Sequence, residues 1–307
     1  MPETIEVKDV YSAIEESSRL VNVPCSREKV WPILDAYKGA FENAVIIFAM
    51  STGRHAGELD YSISVPPGLG DPYALALANG FIPETDHPVG TLPTEIREQC
   101  PVGLSAIDCG VVGGFKKTYS FFPTDDLESL SKLAGLPSMP HSLAENVDLF
   151  GRYGLDKNVT MTSVDYQNKT VNTYLGNLPD GFLEPDNVKA LLREIGLPEP
   201  SEQALEFARN SFAIYPTFRW DSGKIERICF AVITTDQMAL PARLEPEIAQ
   251  FAKSAPYAYA DERDRTLVYG ATYSTGGEYY KLGSYYNTNS QTEKLLVAFD
   301  AMEKEQA

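Results

Sequence analysis

The sequence is poor in the residues that most often mark a metal or redox centre. It holds three histidines and four cysteines in 307 residues. His55, His87 and His141 stand too far apart to pair as metal ligands, and surface or capping roles suit all three. Cys25, Cys100, Cys109 and Cys229 form no CxxC pair, as expected of reduced thiols in a cytosolic protein. Basic residues are scarce as well: 26 Lys and Arg stand against 43 Asp and Glu, a formal net charge of -17. A surface of that sign repels nucleic acid and anionic membranes, which argues against both as partners. No apolar run approaches the ~20 residues that a membrane-crossing helix needs. The first residues, Met1 to Glu6, are acidic rather than basic-then-apolar, so a cytoplasmic protein is expected.

Familiar catalytic signatures are missing too. Residues 110–118 resemble a phosphate-binding loop, but the Gly required before the Lys117-Thr118 pair is absent. Gly68-Leu69-Gly70 lacks the third glycine of a dinucleotide fold. There is no G-x-S-x-G nucleophile elbow. Asp125-Asp126 does not extend to an Asp-rich D-D-x-x-D element and reads instead as a helix start, where acidic residues suit the dipole. This absence speaks against a prenyl diphosphate synthase or hydrolase.

What the chain does have is strands in pairs. Alternation and turn residues predict strands at 44–50 with 58–66, 103–112 with 117–123, 158–166 with 170–176, 212–220 with 224–234, and 265–274 with 278–287. Gln167-Asn168-Lys169, Asp221-Ser222-Gly223 and Thr275-Gly276-Gly277 join the last three pairs, with residues that accept the positive φ of tight hairpins. Helical periodicity fills the gaps at 7–20, 27–41, 72–79, 125–134, 142–153, 185–195, 202–210, 246–255 and 289–304, with a weaker stretch at 94–98. The order helix-helix-strand-strand recurs about five times at a spacing of roughly 50–55 residues. About ten consecutive antiparallel strands exceed what a twisted open sheet holds comfortably, so a single closed barrel over residues 1–307, ringed by helices, is expected. A closed barrel has no edges to cover, which favours a monomer.

Side chains alternate faces along a strand. If helices coat the outside, the apolar faces point outward. The lumen is then lined by Asp60, Ser62, Lys117, Tyr119, Asn172, Tyr174, Tyr215, Arg227, Lys281 and Tyr285. A single basic residue on such a face would be merely solvated. Here basic residues recur on strands from three different pairs of a strongly acidic chain, each beside tyrosines. Lys117, Arg227 and Lys281 suit a diphosphate, with Asn172 and Tyr215 as neutral donors. Asp60 fits beside them if Mg²⁺ bridges carboxylate and phosphate, with Asp108 holding the metal's waters. With 17 Tyr and 14 Phe, the chain can also wall a chamber that stabilises an allylic carbocation and excludes water. A non-catalytic carrier of an amphipathic anion is the alternative, although it has no use for Asp60 set against three cations.

Seven segments carry a resemblance. They are residues 51–62, Gly113-Gly114-Phe115-Lys116-Lys117-Thr118-Tyr119, Tyr153 to Lys157, Val171 to Tyr174, Tyr215-Pro216-Thr217, Gly223 to Val232, and Tyr279 to Tyr286. Together they resemble the ABBA aromatic prenyltransferases nearly end to end. The resemblance implies a ten-stranded antiparallel barrel with α+β ααββ units, and electrophilic substitution of an aromatic carbon by a prenyl group from a prenyl diphosphate such as geranyl diphosphate. It implies that Lys117, Asn172, Tyr215, Arg227, Lys281 and Ser62 hold the diphosphate and that Asp60 ligates Mg²⁺, with Asp108 acting through water. Tyr119, Tyr174 and Tyr285 would flank the prenyl chain and acceptor. Ile47, Ala49, Thr160, Met161, Phe212, Ala213, Gly283, Thr292 and Leu295 would shape the acceptor and prenyl pocket. Thr160, Ala213, Thr292 and Ala49 depart from the polar residues expected there, which moves the acceptor away from the family's best-matched pattern.

Overall fold

The computed structural model describes residues 5–235, 246–258 and 265–288. Its centre is a ring of ten antiparallel strands: β1 (Ile46–Ser51), β2 (Leu59–Val65), β3 (Leu104–Gly110), β4 (Gly114–Phe121), β5 (Val159–Asp165), β6 (Thr170–Leu175), β7 (Ala213–Arg219), β8 (Arg227–Thr234), β9 (Leu267–Ser274) and β10 (Gly277–Asn287). Each strand pairs with its neighbours in sequence, and β1 pairs with β10 to close the barrel. All five expected pairs are present. The turn between β9 and β10 is sharp because Gly277 takes φ +98, and Lys169 adopts φ 51 between β5 and β6. That second turn is braced by Asp165, which accepts from the Asn168 backbone N–H at 2.8 Å and its side-chain amide at 3.0 Å.

Helices among the described residues are α1 (Val7–Leu20), α2 (Arg27–Tyr37), α3 (Pro72–Ala78), α4 (Leu92–Gln99), α5 (Leu130–Ala134), α6 (His141–Arg152), α7 (Pro185–Glu194), α8 (Glu202–Ala208) and α9 (Pro246–Ser254). The first matches expectation at both ends. Others start on side-chain caps: Asp71, Ser129 and Ser201 accept from Tyr73, Lys132 and Ala204 N–H groups, each satisfying one orphan donor. Three expectations are corrected. Asp125 and Asp126 do not open a helix; the chain first makes an extended bridge between Glu128 and Val159, and α5 begins only after Ser129. The helix at 27–41 is α-helical to Tyr37 and then tightens into a 3₁₀ segment over Lys38–Asn43. The weak stretch at 94–98 is the middle of a full helix, α4, with Pro93 in its first turn. The expected closing helix at 289–304 lies outside the described residues.

The alternation argument holds on β2. Leu59, Tyr61, Ile63 and Val65 are buried beneath the helices, while Asp60, Ser62 and Ser64 take the other face. Each such aliphatic or aromatic side chain contributes about 1.5–3 kcal/mol by leaving water. The space between helices and barrel is therefore the dry core. Tyr37 of α2 stacks on Phe115 of β4 with ring centroids 6.3 Å apart, and its hydroxyl donates to the Pro72 carbonyl at 2.6 Å. With the outer face satisfied this way, the inner face is free to be polar.

Candidate active site

The strand register gathers the inward polar residues into a diagonal band. Ser62 is opposite Asp108, Asp108 opposite Lys117, and Lys117 opposite Asp165. One step along, Tyr119 is opposite Ser163, Ser163 opposite Asn172, Asn172 opposite Thr217, and Thr217 opposite Arg227. The seam of the barrel adds Lys281, paired with Ser51 on β1, while Asp60 pairs with Ala49 on the same strand. Residues far apart in sequence thus meet because antiparallel neighbours share a face.

Asp60 is the hub. Its two oxygens accept from Lys116 Nζ at 2.8 Å and Lys281 Nζ at 3.0 Å. Burial pushes its pKa up, but Lys281 and Lys116, with a contribution from Lys117, outweigh burial and bring it down to about 2. Burial alone would lower the pKa of Lys281 and of Lys116; for both, Asp60 holds the ammonium above its ordinary value. Ser62 donates to Asp108 Oδ1 at 2.7 Å, while Asp108 Oδ2 is buried with no protein partner. Lys117 lies 3.6 Å from Asp165. Arg227 is paired with its neighbour Glu226, so it is less available to an anion than a free lumen arginine would be.

Lys116 is the residue that sequence reasoning missed. The strand expected from the sequence begins at Lys117, which left Lys116 in the turn before it. The β3–β4 register shifts between Asp108 and Cys109, leaving Lys116 as the extra residue of a bulge, and both lysines serve the inner side. Gly110 lies directly against the pair: a Cβ there would sit in ordinary contact, 3.4 Å from Lys116 Cδ and 3.5 Å from Asp60 Oδ1. Asp165 was also unforeseen. The available signals were the Lys116-Lys117 doublet beside two glycines and the acidic residue opening a hairpin turn.

Beyond the charged band stands an aromatic wall. Tyr174 and Tyr215 have ring centroids 4.1 Å apart, Tyr119 and Tyr174 6.1 Å, and Tyr119 and Phe121 6.4 Å. Asn172 Nδ2 donates to the Tyr174 hydroxyl at 3.5 Å, and the Asn172 carbonyl oxygen is buried without a protein partner. Burial lifts Tyr119 and Tyr215 well above the ordinary tyrosine range and Tyr285 to about 12. Yet Lys117, Tyr119, Tyr215, Arg227 and Lys281 all keep some accessible surface. For Tyr119, Tyr215 and Lys281, strong desolvation together with accessibility fits side chains that line interior space.

Small residues flank the wall. Ala49 faces Gly283, Lys281 faces Gly270, Gly270 faces Ala231, and Ala231 faces Ala213. Gly283 lies against Ile47, whose Cγ2 would be 3.0 Å from an added Cβ. Met161 is opposite Tyr174, next to Phe121. Thr160 sits in a bulge of β5, and its hydroxyl donates to the Tyr174 carbonyl at 3.1 Å, which commits that donor to the backbone. Phe212 precedes β7, with its N–H bonded to the Ala231 carbonyl at 2.9 Å. Thr292 and Leu295 lie outside the described residues. The histidines take no part in this band. His87 caps a 3₁₀ turn by accepting from Val89 N–H, His55 pairs with Glu58 at 3.1 Å, and His141 is exposed 3.4 Å from Glu145. The four cysteines are free thiols.

The fold agrees with a solved structure of 6-dimethylallyltryptophan synthase from Micromonospora olivasterospora. The TM-score is 0.55, over 93% of this chain and 99% of that one, at 12% identity. It is thus a barrel of the prenyltransferase type. Residues 5–299 match the family described as aromatic prenyltransferase Orf2, and the chain belongs to that family. Among its curated relatives is a 5,10-dihydrophenazine-1-carboxylate 9-dimethylallyltransferase from Streptomyces anulatus, 48% identical over 97% of this chain and 99% of that protein. A flaviolin linalyltransferase from Streptomyces virginiae is 45% identical over 96% and 97%. A furaquinocin biosynthesis prenyltransferase from Streptomyces sp. (strain KO-3988) is 44% identical over 98% and 97%. The protein is a transferase, and the carrier alternative is set aside.

Proposed function

We propose that this protein transfers a geranyl group from geranyl diphosphate to a ring carbon of a hydroxylated naphthalene-type acceptor such as flaviolin. The observation that carries the reading is the placement of Lys116 and Lys281 on the Asp60 carboxylate, with Lys117 in the same band, directly beside a wall of tyrosines. Lys117, Lys281, Asn172, Tyr215 and Arg227 present donors to the diphosphate, and Ser62 lies in the same band. As the allylic C–O bond breaks, its electron pair leaves on a diphosphate oxygen, and charge grows where the ammonium groups already stand. The carbocation left behind faces Tyr119, Tyr174, Tyr215 and Tyr285. Burial raises Tyr119, Tyr215 and Tyr285 and keeps them as phenols, whose oxygens are poor traps for it, while the π faces of all four rings stabilise the cation. The acceptor ring supplies an electron pair to form the new C–C bond, and the ring proton then passes to water.

The donors present fit a divalent cation. Lys116, Lys117 and Lys281 face Asp60, Asp108 and Asp165, and Arg227 is taken up by Glu226. A diphosphate would therefore enter a band with little net positive charge of its own. Among the described residues no cluster of three metal-binding side chains occurs, so phosphate oxygens would have to complete the shell, which is how Mg²⁺ is commonly held. Asp60 would ligate the ion, and Asp108 Oδ2, buried and unpartnered, would accept from a metal-bound water. When bound, Mg²⁺ would neutralise the leaving diphosphate.

The test is incubation with geranyl diphosphate and flaviolin or a dihydroxynaphthalene, with Mg²⁺ or EDTA, followed by mass analysis for a C-prenylated product. No product with any naphthalene, phenolic or phenazine acceptor at any prenyl length would defeat the reading. A second reading, dimethylallyl transfer to a dihydrophenazine, is favoured by the name of the 48% identical relative. The same assay separates the two when both donors and both acceptors are run.

A further inference from the structure

We infer that Lys116 is a resident counter-ion that keeps a divalent cation off Asp60 until a diphosphate arrives, so that metal ion and diphosphate load together. The inference rests on the proposed diphosphate and metal site.

Three observations carry it. First, both Asp60 oxygens are already taken, one by Lys116 and one by Lys281. A metal ion can use that carboxylate only by displacing an ammonium group from a buried ion pair or by binding against its charge. Second, Lys116 reaches Asp60 through a departure from regular strand geometry: it is the extra residue of the β3–β4 bulge, which brings it to the inner side beside Lys117. Third, Lys116 has somewhere else to go. Glu58 Oε2 lies 3.8 Å from its Nζ, at the half-exposed mouth of the β1–β2 connection, where His55 holds the Glu58 carboxylate at 3.1 Å. Lys116 thus stands between an inner and an outer carboxylate, one buried and one near solvent.

The physical consequence is a coupled equilibrium. Diphosphate oxygens offer Lys281 and Lys117 a stronger partner than a shared carboxylate, and they bring the negative charge that draws a divalent ion in. With Asp60 partly released, Lys116 can shift toward Glu58. Without diphosphate, a divalent cation would face two ammonium groups at contact distance in a poorly screened site. Coupling of this kind is reciprocal, so metal must raise diphosphate affinity by the same factor. Lys116 is accordingly a positioning residue for Asp60, distinct from the residues proposed to touch the diphosphate.

The experiment uses Mn²⁺ as a paramagnetic probe and inorganic pyrophosphate as the diphosphate, on the full chain. Bound Mn²⁺ is read by electron paramagnetic resonance, with thermal unfolding as the fold control. Wild type should bind Mn²⁺ poorly alone and well with pyrophosphate. Lys116→Met should tighten Mn²⁺ binding in the absence of pyrophosphate by at least roughly tenfold, because one of two opposing charges is gone. Lys116→Arg, which keeps the charge, should behave as wild type. Asp60→Asn should lose Mn²⁺ binding under every condition. Equal Mn²⁺ affinity for wild type and Lys116→Met without pyrophosphate, with both folded, would overturn the inference, as would tight binding to wild type alone. If Asp60→Asn still binds Mn²⁺ with pyrophosphate, the metal site itself is misplaced. Absence of prenyl transfer by wild type would instead strike the proposed function and leave the Mn²⁺ comparison standing.

Discussion

The two halves of the lumen are built on different principles. The half formed by β2, β3, β4, β5 and β10 is held by charge: Asp60 with Lys116 and Lys281, Ser62 with Asp108, Lys117 with Asp165. Each of these groups has a cross-strand partner, so removing one leaves another unpaired in a buried setting. The half formed by β6, β7, β8 and β9 has few such ties. Its shape comes from tilted tyrosine rings in contact and from Ala213, Ala231 and Gly270. A wall of packed rings and small residues can be reshaped one side chain at a time, whereas an ion-pair web cannot. Under the proposed function, donor recognition falls to the half the fold fixes, and the choice of acceptor and prenyl length to the half that is adjustable. Relatives in one family that carry different acceptors in their names are consistent with that division.

The largest effect should follow Lys281→Ala, which removes a diphosphate donor and one of the two partners of Asp60. kcat/KM is expected to fall by roughly a hundred- to a thousandfold, the usual cost of losing one preorganised charge donor, with the protein still folded. Normal kinetics in that variant would erase the distinction between the halves. Next is acid. The Asp60 carboxylate, depressed to about 2 by its lysines, favours the folded state at pH values above its ordinary unfolded pKa. That contribution is lost as pH falls from about 4 toward 2, on the order of 2 kcal/mol. Urea unfolding at pH 5 and pH 2.5 measures it, and Asp60→Asn should flatten that part of the pH dependence.

Effects on the aromatic half should be smaller and of another kind. Tyr174→Leu should cut turnover about tenfold, in line with the loss of one cation–π partner, and raise the share of prenyl alcohol from water capture. Quantifying alcohol against C-prenylated product checks it. Smallest is Gly283→Ala, which brings a methyl to 3.0 Å from Ile47 Cγ2. It should shift relative acceptor rates by a few-fold, within the ~1–3 kcal/mol a methylene can command in a pocket, while the pyrophosphate inhibition constant stays unchanged. A change in pyrophosphate affinity there would mean that the two halves are coupled.

The barrel was legible in the sequence because alternation and turn chemistry are local. Leu59, Tyr61, Ile63 and Val65 declare their face without reference to any other strand, and all five hairpins were found. Asp60, Ser62, Lys117, Asn172 and Lys281 came from the same parity argument. Lys116 did not: the expected strand began at Lys117, and the bulge that brings Lys116 to the inner side is a property of two strands together. Arg227 was legible as inward, but its pairing with adjacent Glu226 depends on side-chain conformation that no pattern of alternation encodes. The start of α5 was misjudged for a related reason. Asp125 and Asp126 suit a helix N-terminus by charge, yet Glu128 is drawn into a bridge with Val159 on a different pair.

The seam between β1 and β10 also bears on how the molecule is assembled. Asp60 and Lys281 are 221 positions apart along the chain, and the strands that bring them together are the first and last of the ring. During synthesis, β1 emerges long before its partner exists, and until then the growing sheet has two open edges. Contacts so distant in sequence form late and slowly, since the loop entropy of everything between must be met first. The unfinished barrel is the state most exposed to edge-to-edge association with other chains. Closing the seam removes both edges and completes the Asp60 ion pair in one step, so the arrival of the last strand is at once the end of folding and the birth of the charged half of the lumen.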